Sequence, residues 1–429
     1  MKKNKAKRFV AILLCGAMAC TMLSGCGAQA EALTGNVEPV VIEDGVITQD
    51  HTDMLADFSY DMLRYTAAAQ EENILVSPLS AWLVLTMTGQ GAAGNTADEF
   101  AWFSKRLDDA GQRTLAAWVM EYLAQYDDIE AKGAEVGVAN SVWVDDALTV
   151  TDSFVDTAEA YYRAEIIRQD LQAAGAVKNV NDWISEATKE RIQNMLDQID
   201  KNAVMILINA LTLDAKWQSE FDIANTGKDN FYLPDGKEHQ IDFMHQRLSN
   251  AAYLHWDGGE GIVLPYLGDN MSMIALLPDE AHNCDDILNQ LHSVWLKDLQ
   301  ENRTLATVNL SMPKFKMESS MTLNDICKTM GLESAFDQRN ADFTGIGTAD
   351  NGTNIFIGRV LQNCMLEVGE EGTKAAAATV VEMRCGSARP DPSMLVDLQL
   401  NRPFVYLIVE CDNFEPLFMG TIMNVEEAK

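Results

Sequence analysis

A chain of 429 residues, 47% of them hydrophobic, is long enough to bury a large core, which excludes disorder as its bulk state. Its 64 acidic residues against 32 basic ones leave a formal net charge of −32. Such a body repels nucleic acid and anionic lipid and suits a cationic partner or none.

In chain order, the first stretch departs from this acidic average. MKKNKAKR precedes the apolar run FVAILLCGAMACTML and then LSGC, the order of a basic region, an apolar region and a processing site. The run is too short for a confident membrane-spanning helix. Leu23-Ser24-Gly25-Cys26 looks like a bacterial lipobox, against the plainer reading of a secretion signal cut elsewhere. Cleavage before Cys26 removes residues 1–25 and leaves lipid on Cys26. This predicts an exported protein held on the outer face of a bacterial membrane, or released outside the cell, with the lipid as its one membrane contact. Residues 26–50, polar, acidic and aperiodic, are expected to form a flexible tether ahead of a body spanning 51–429.

NILVSPLSAWLVLTMTG predicts a short strand, then a helix capped by Ser77 with Pro78 at its first position. The GxGxxG match at Gly89–Gly94 follows a helix rather than a strand. Thr96-Ala97-Asp98-Glu99 reads as a capping box opening the next helix, so a helix-to-helix turn is preferred to a nucleotide loop. VNDWISEATKERIQNML places Val180, Trp183, Ile184, Ala187, Ile192, Met195 and Leu196 on one helical face. Residues 203–213, AVMILINALTL, predict a strand buried on both faces. His239, His245 and His255 lack the spacing of a helical zinc site and HExxH is absent, so they are read as solvated loop histidines, with no metal or cofactor expected. His282-Asn283-Cys284-Asp285-Asp286 reads as a helix start, and without a GxSxG motif hydrolase chemistry finds no nucleophile, Ser77 and Ser80 being helix-start residues.

Later, IVLPYL with MSMIALLP and PFVYLIVE with EPLFMGTIM predict two hairpins. SSMTLNDICKTMGLESAF predicts a helix with Leu323, Ile326, Cys327 and Met330 on one face, stopped by Gly331. Helix and strand signals mix without regular βαβ alternation, which points to an α+β body. Once Cys15, Cys20 and Cys26 are set aside, Cys284, Cys327, Cys364, Cys385 and Cys411 remain. Odd in number and scattered, they argue against a disulfide framework; four are read as buried thiols and Cys385 as exposed.

The stretch EEGTKAAAATVVEMRCGSARPDP, from Glu370 to Pro392, joins alanines that favour helix to Thr379, Val380 and Val381, which favour strand. It has no settled local preference.

With these pieces in order, the chain resembles the serpin family over residues 54–425. The matching stretches are NILVSPLSAWLVLTMTGQGAAGNTADE, VNDWISEATKERIQNML, INALTLDAKWQSEF, LPYLGDNMSMIALLPDE, MPKFKMESSMTLNDICKTMGL, ADFTGI, GEEGTKAAAAT and RPFVYLIVE with PLFMGTI. The resemblance implies a serpin fold of three β-sheets with eight or nine helices and an exposed reactive-centre loop, about 370–395. It also implies a monomer that is not an enzyme and forms a covalent acyl complex with a serine protease.

In that frame the hinge, Glu370, Glu371, Gly372, Thr373, Lys374, Ala375, Ala376, Ala377, Ala378 and Thr379, must leave solvent and enter a sheet as a new strand. Small side chains fit between existing neighbours, and Gly372 supplies backbone freedom. At about 1 kcal/mol net each, some ten new hydrogen bonds are worth on the order of 10 kcal/mol, so the uncleaved fold is expected to be metastable.

Ser77, Ser80 and Asn209 match the family's shutter and Trp217 its breach tryptophan. Gln362 stands where many relatives carry a shutter histidine, and an amide does not titrate near neutral pH. Family spacing from Glu370 puts the scissile bond near Gly386-Ser387; counting back from Pro403 widens the window to Arg384, Cys385, Gly386, Ser387, Ala388 and Arg389. Cys385, Gly386 or Ser387 in the specificity pocket favours an elastase- or subtilisin-like enzyme, and Arg384 a trypsin-like one. The alternative is a serpin-fold binding or structural lipoprotein without inhibition.

Overall fold

The structure, a computed structural model, describes residues 30–425 apart from 36, 44, 71, 269, 350, 351, 353, 375–393 and 412–414. After a two-residue strand, β1 (Glu31–Ala32), come α1 (Gln49–Ala69), β2 (Ile74–Val76), α2 (Pro78–Gly89), α3 (Gly94–Phe103), α4 (Asp109–Leu123) and a short α5 (Ile129–Lys132). The long β3 (Ala134–Asp145) leads to β4 (Leu148–Val150), α6 (Asp152–Tyr162), β5 (Glu165–Gln169), α7 (Ala176–Ala187) and β6 (Met205–Lys216). Then follow β7 (Thr226–Tyr232), β8 (Glu238–Trp256), β9 (Gly259–Pro265), β10 (Met271–Pro278), α8 (Cys284–Gln290), α9 (Ser293–Glu301), β11 (Thr304–Pro313), β12 (Phe315–Thr322) and α10 (Asn324–Thr329). The chain closes with β13 (Gly347–Ala349), β14 (Arg359–Val368), β15 (Gly372–Lys374), β16 (Leu395–Gln399), β17 (Phe404–Glu410) and β18 (Pro416–Ile422).

Among the described residues these strands form three sheets. The first runs β1-β5-β3-β6-β15-β14-β12; the second runs β16-β11-β8-β9-β10-β17-β18-β2 with β7 also on β8; β13 pairs with β4 alone. Within the second sheet β8 changes partners along its length, carrying β7 over 238–244, β11 over 243–253 and β9 over 252–256. Every residue of α2 is buried, as expected of a helix apolar all round. β6 is buried from Met205 to Ala215, which its unbroken apolar run requires of a strand covered on both faces. Both expected hairpins form, β9 with β10 and β17 with β18. α10 lies where its periodicity placed it, followed by Gly331 at φ 108°.

Four local expectations are corrected. α7 ends at Ala187, and Ile192, Met195 and Leu196 reach the same core from a turn segment. The reason is side-chain competition: Thr188 Oγ1 accepts from the Ile192 N–H at 3.1 Å, and Asn181 Oδ1 accepts from the Leu196 N–H at 2.8 Å. α3 begins at Gly94, ahead of the expected capping box, because its side chains are engaged elsewhere. The Thr96 hydroxyl shares a 2.9 Å hydrogen bond with Ser334, and Glu99 accepts from the Ser334 N–H and hydroxyl at 2.8 Å.

His239, His245 and His255 lie on strand β8 rather than in a loop, His245 bonding Ser311 at 2.6 Å. Most of the presumed tether lies along the body: β1 pairs with β5, the Leu33 N–H bonds the Ile166 carbonyl, and the Val40 N–H bonds the Ala160 carbonyl, each at 2.8 Å. Cys284, Cys327 and Cys364 are buried free thiols and Cys411 is half-buried.

Candidate functional site

The first sheet is open along one seam. Below it, β6 and β14 pair directly and in parallel, Ile206–Leu211 against Arg359–Cys364. Above, the chain leaving β14 folds back and begins a new strand between them. Gly372 and Thr373 pair with Lys216 and Ala215 of β6, while Thr373 and Lys374 pair with Val368 and Glu367 of β14.

Sequence explains why this rung can form. A Cβ on Gly372 would lie 2.0 Å from the Ala215 carbonyl oxygen, and its φ is 156°, so only glycine fits without displacement. Thr373 is fully buried, and its hydroxyl meets the Tyr266 hydroxyl at 2.5 Å. Tyr266 stacks flat on Trp217, with ring centroids 4.5 Å apart. Burial pushes the Tyr266 phenol upward, which keeps it a neutral hydrogen-bonding group.

The turn from β14 is held through its backbone carbonyls. Trp217 Nε1 donates to the Gly369 carbonyl, the Phe221 N–H to the Glu370 carbonyl and the Trp217 N–H to the Glu371 carbonyl, each at 2.9 Å. The Glu370 carboxylate accepts from the Thr226 hydroxyl at 2.9 Å and lies 2.9 Å from the Lys314 ammonium. Burial tends to raise its pKa, but Lys314, its own backbone amide and Thr226 together hold it below the usual carboxylate value.

Farther down the seam lies a buried polar row. Gln362 of β14 is in register with Asn209 of β6, and Asn209 with Asn140 of β3. Gln362 Oε1 accepts from the Ser77 N–H at 3.1 Å, while its Nε2 donates to the Ser77 carbonyl at 2.7 Å and to Ser80 Oγ at 3.3 Å. Asn209 Nδ2 donates to Asn140 Oδ1 at 2.6 Å. Ser77 begins α2 as expected, but its side chain makes no capping bond, and Ser77 Oγ and Asn209 Oδ1 face no partner among the described residues.

Thus Glu370, Glu371, Gly372, Thr373 and Trp217 converge at one end of the seam, while Ser77, Ser80, Asn209 and Gln362 meet under its middle. Ala375, Ala376, Ala377, Ala378, Thr379, the window from Arg384 to Arg389, and Cys26 lie outside the described residues. Sequence reasoning missed Thr226, Tyr266, Lys314 and Asn140. Each comes from a different strand or strand end, and no local motif links them to the hinge.

The seam and hinge agree with known relatives. The serpin family, described as "Serpin (serine protease inhibitor)", matches residues 53–425. Serpin-Z1B of Triticum aestivum is 32% identical, the match covering 82% of this chain and 90% of that protein. An uncharacterized serpin-like protein of Thermococcus kodakarensis is 27% identical over 86% of this chain and 84% of its own.

Among solved structures, the thermophilic serpin Tengpin in its native state is 29% identical with a TM-score of 0.82, covering 92% of this chain and 100% of that one. Tengpin in its latent state gives a TM-score of 0.74 at 28% identity, covering 90% and 100%. The chain belongs to the serpin family, whose members are generally serine protease inhibitors.

Proposed function

We propose that the protein is a monomeric suicide inhibitor of serine proteases, exported and displayed at a bacterial cell surface by lipid on Cys26. The observation that carries this reading is the first rung already in place: Gly372 and Thr373 sit between β6 and β14, in register for more of the same strand to follow.

The chemistry begins at the loop between Lys374 and Met394. A protease serine Oγ attacks the carbonyl carbon of the scissile bond, the C–N bond breaks, and the serine proton passes through the enzyme's base to the departing amine. The enzyme is left esterified to the new C-terminus. The freed hinge then parts the pairing of Ile206–Leu211 with Arg359–Cys364 and takes its place between those strands. One parallel ladder is exchanged for two antiparallel ones, and at about 1 kcal/mol net per added hydrogen bond the gain is on the order of 10 kcal/mol. Ala375 to Ala378 carry no bulk to obstruct that step.

The target is read as an elastase- or subtilisin-like enzyme cutting next to Cys385, Gly386 or Ser387, and Arg384 is the position that would suit a trypsin-like pocket. Incubation with elastase, subtilisin and trypsin tests the whole reading. An SDS-stable complex with one of them supports inhibition, and the mass of the released C-terminal peptide fixes the bond. Rapid cleavage by all three without a complex would establish the non-inhibitory alternative.

A further inference from the structure

The second sheet has a gap beside β8. While β11 holds one edge of that strand, β7 pairs with the other no further than Met244 and β9 begins only at Ala252. Residues 245–251 therefore have no strand partner on that side among the described residues. On the β11 side the ladder slips here: Val308 pairs with Leu248 and Ala306 with Ala251, so Thr307 faces both Ser249 and Asn250, and Asn250 takes a left-handed φ of 62°. Such a bulge bends its strand, and at the bend lies a cavity of about 300 Å³. The segment from Trp217 to Phe221 closes it. The Gln218 N–H bonds the Pro265 carbonyl, and Gln246 Nε2 donates to Ser219 Oγ and to the Glu220 carbonyl, each at 3.0 Å.

Trp217, Leu248, Val263, Leu264 and Leu305 supply apolar walls, and no acidic residue among those described lines the cavity, although the chain has 64 acids against 32 bases. Arg247 is the one ionisable side chain on its wall, and it has no hydrogen bond or ion pair among the described residues. Gln246 adds an acceptor. Because the Glu220 carbonyl can only accept, Nε2 must face it, which leaves Oε1 buried with no partner among the described residues. A buried acceptor in that state favours any ligand that brings a donor.

We propose that this cavity binds a flat, apolar monocarboxylic acid carrying one hydroxyl. The carboxylate pairs with the Arg247 guanidinium, the hydroxyl donates to Gln246 Oε1, and the rings lie against the apolar walls. The volume is at the lower end for ligand cavities and suits two fused rings. Such a site stands apart from protease inhibition and needs neither a target enzyme nor an anchor. It does reach the hinge, since the wall residues Trp217 and Phe221 donate their N–H groups to the Glu371 and Glu370 carbonyls. A ligand that holds those walls opposes their opening.

The test titrates the full chain by calorimetry with a hydroxynaphthoate, its hydroxyl on the ring remote from the carboxylate, and with the corresponding neutral amide. The expected result is one site with a Kd of about 0.1 mM or tighter, weakened about tenfold for the amide and about tenfold for the acid in Arg247→Gln. At about ten times Kd, hydrogen exchange at the Trp217 and Phe221 amides should slow about tenfold. Absence of saturable binding, equal affinity for acid and amide, or an unaffected Arg247→Gln variant would overturn the ligand class. Binding without protection of those two amides would overturn its placement in this cavity. No reading here uses a protease, so failure of the inhibitory reading would leave these results untouched.

Discussion

The Glu370 carboxylate and the Lys314 ammonium lie 2.9 Å apart at the point where the chain leaving β14 turns back into its own sheet. Their contact ties the hinge to the turn between β11 and β12. Because the carboxyl pKa is depressed in the folded state, this contribution to stability is present above the unfolded carboxylate value and is lost as pH falls through the folded one. Lys314→Met should therefore lower the unfolding midpoint at pH 7 and bring variant and wild type together in acid. A gap that persists at low pH would mean the effect is packing, not charge.

Gly372 and Thr373 test the seat of the hinge separately. Gly372→Ala drives a methyl into the Ala215 carbonyl and should displace the first rung, exposing residues 369–374 to limited proteolysis in the uncleaved protein. Thr373→Arg puts a guanidinium into a fully buried position beside the Tyr266 hydroxyl. An unpaired buried charge costs several kcal/mol, so insertion should slow and complex yield should fall at least ~10-fold while loop cleavage continues. Unchanged complex yield would sink the strand-insertion account.

Gln362 joins β14 to the start of α2 through three hydrogen bonds. Gln362→Ala removes the acceptor of the buried Ser77 N–H, while the Ser77 carbonyl keeps the Ala81 N–H and the Ser80 hydroxyl, and at ~1–3 kcal/mol per orphaned group the loss should be about 1–3 kcal/mol by denaturant unfolding. Since neither an amide nor a hydroxyl titrates near neutrality, the opening rate should be flat between pH 6 and 8. Gln362→His should introduce a pH dependence there, and its absence would contradict the assignment of this row to the opening step.

Glu415 offers a check away from the hinge. Its side chain is buried, only the Ser59 hydroxyl approaches, at 3.4 Å, and Oε2 has no partner among the described residues. Burial, with Glu410 and Asp57 nearby, raises its pKa well above the usual value. A carboxyl raised in the folded state binds more protons there than when unfolded, so stability falls as pH rises above the unfolded value. Glu415→Gln should flatten that decline and equal or exceed wild-type stability at pH 8; a less stable variant at pH 8 would contradict a protonated Glu415.

What sequence made legible was whatever rests on local chemistry: the apolar α2, doubly buried β6, both hairpins, the Gly331 stop. The length of α7 escaped because Thr188 and Asn181 supply side-chain bonds in place of the helical ladder, and periodicity sees only the apolar face. The docking of Glu31 to Val40 escaped because two paired residues on a sheet edge need no strand-like pattern. At the site, Gly372 and Trp217 were nameable because the resemblance supplied their places. Lys314, Thr226 and Tyr266 were not, since their partnership with the hinge exists only once the strands are assembled.

The most direct test of strand insertion is to cut the loop between residues 375 and 393 with a catalytic amount of a protease that forms no complex, then compare thermal unfolding before and after. Some ten added hydrogen bonds, on the order of 10 kcal/mol, should raise the midpoint by about 10–20 °C. An unchanged or lower midpoint would contradict the claim that Gly372 and Thr373 are the beginning of a strand waiting to be completed.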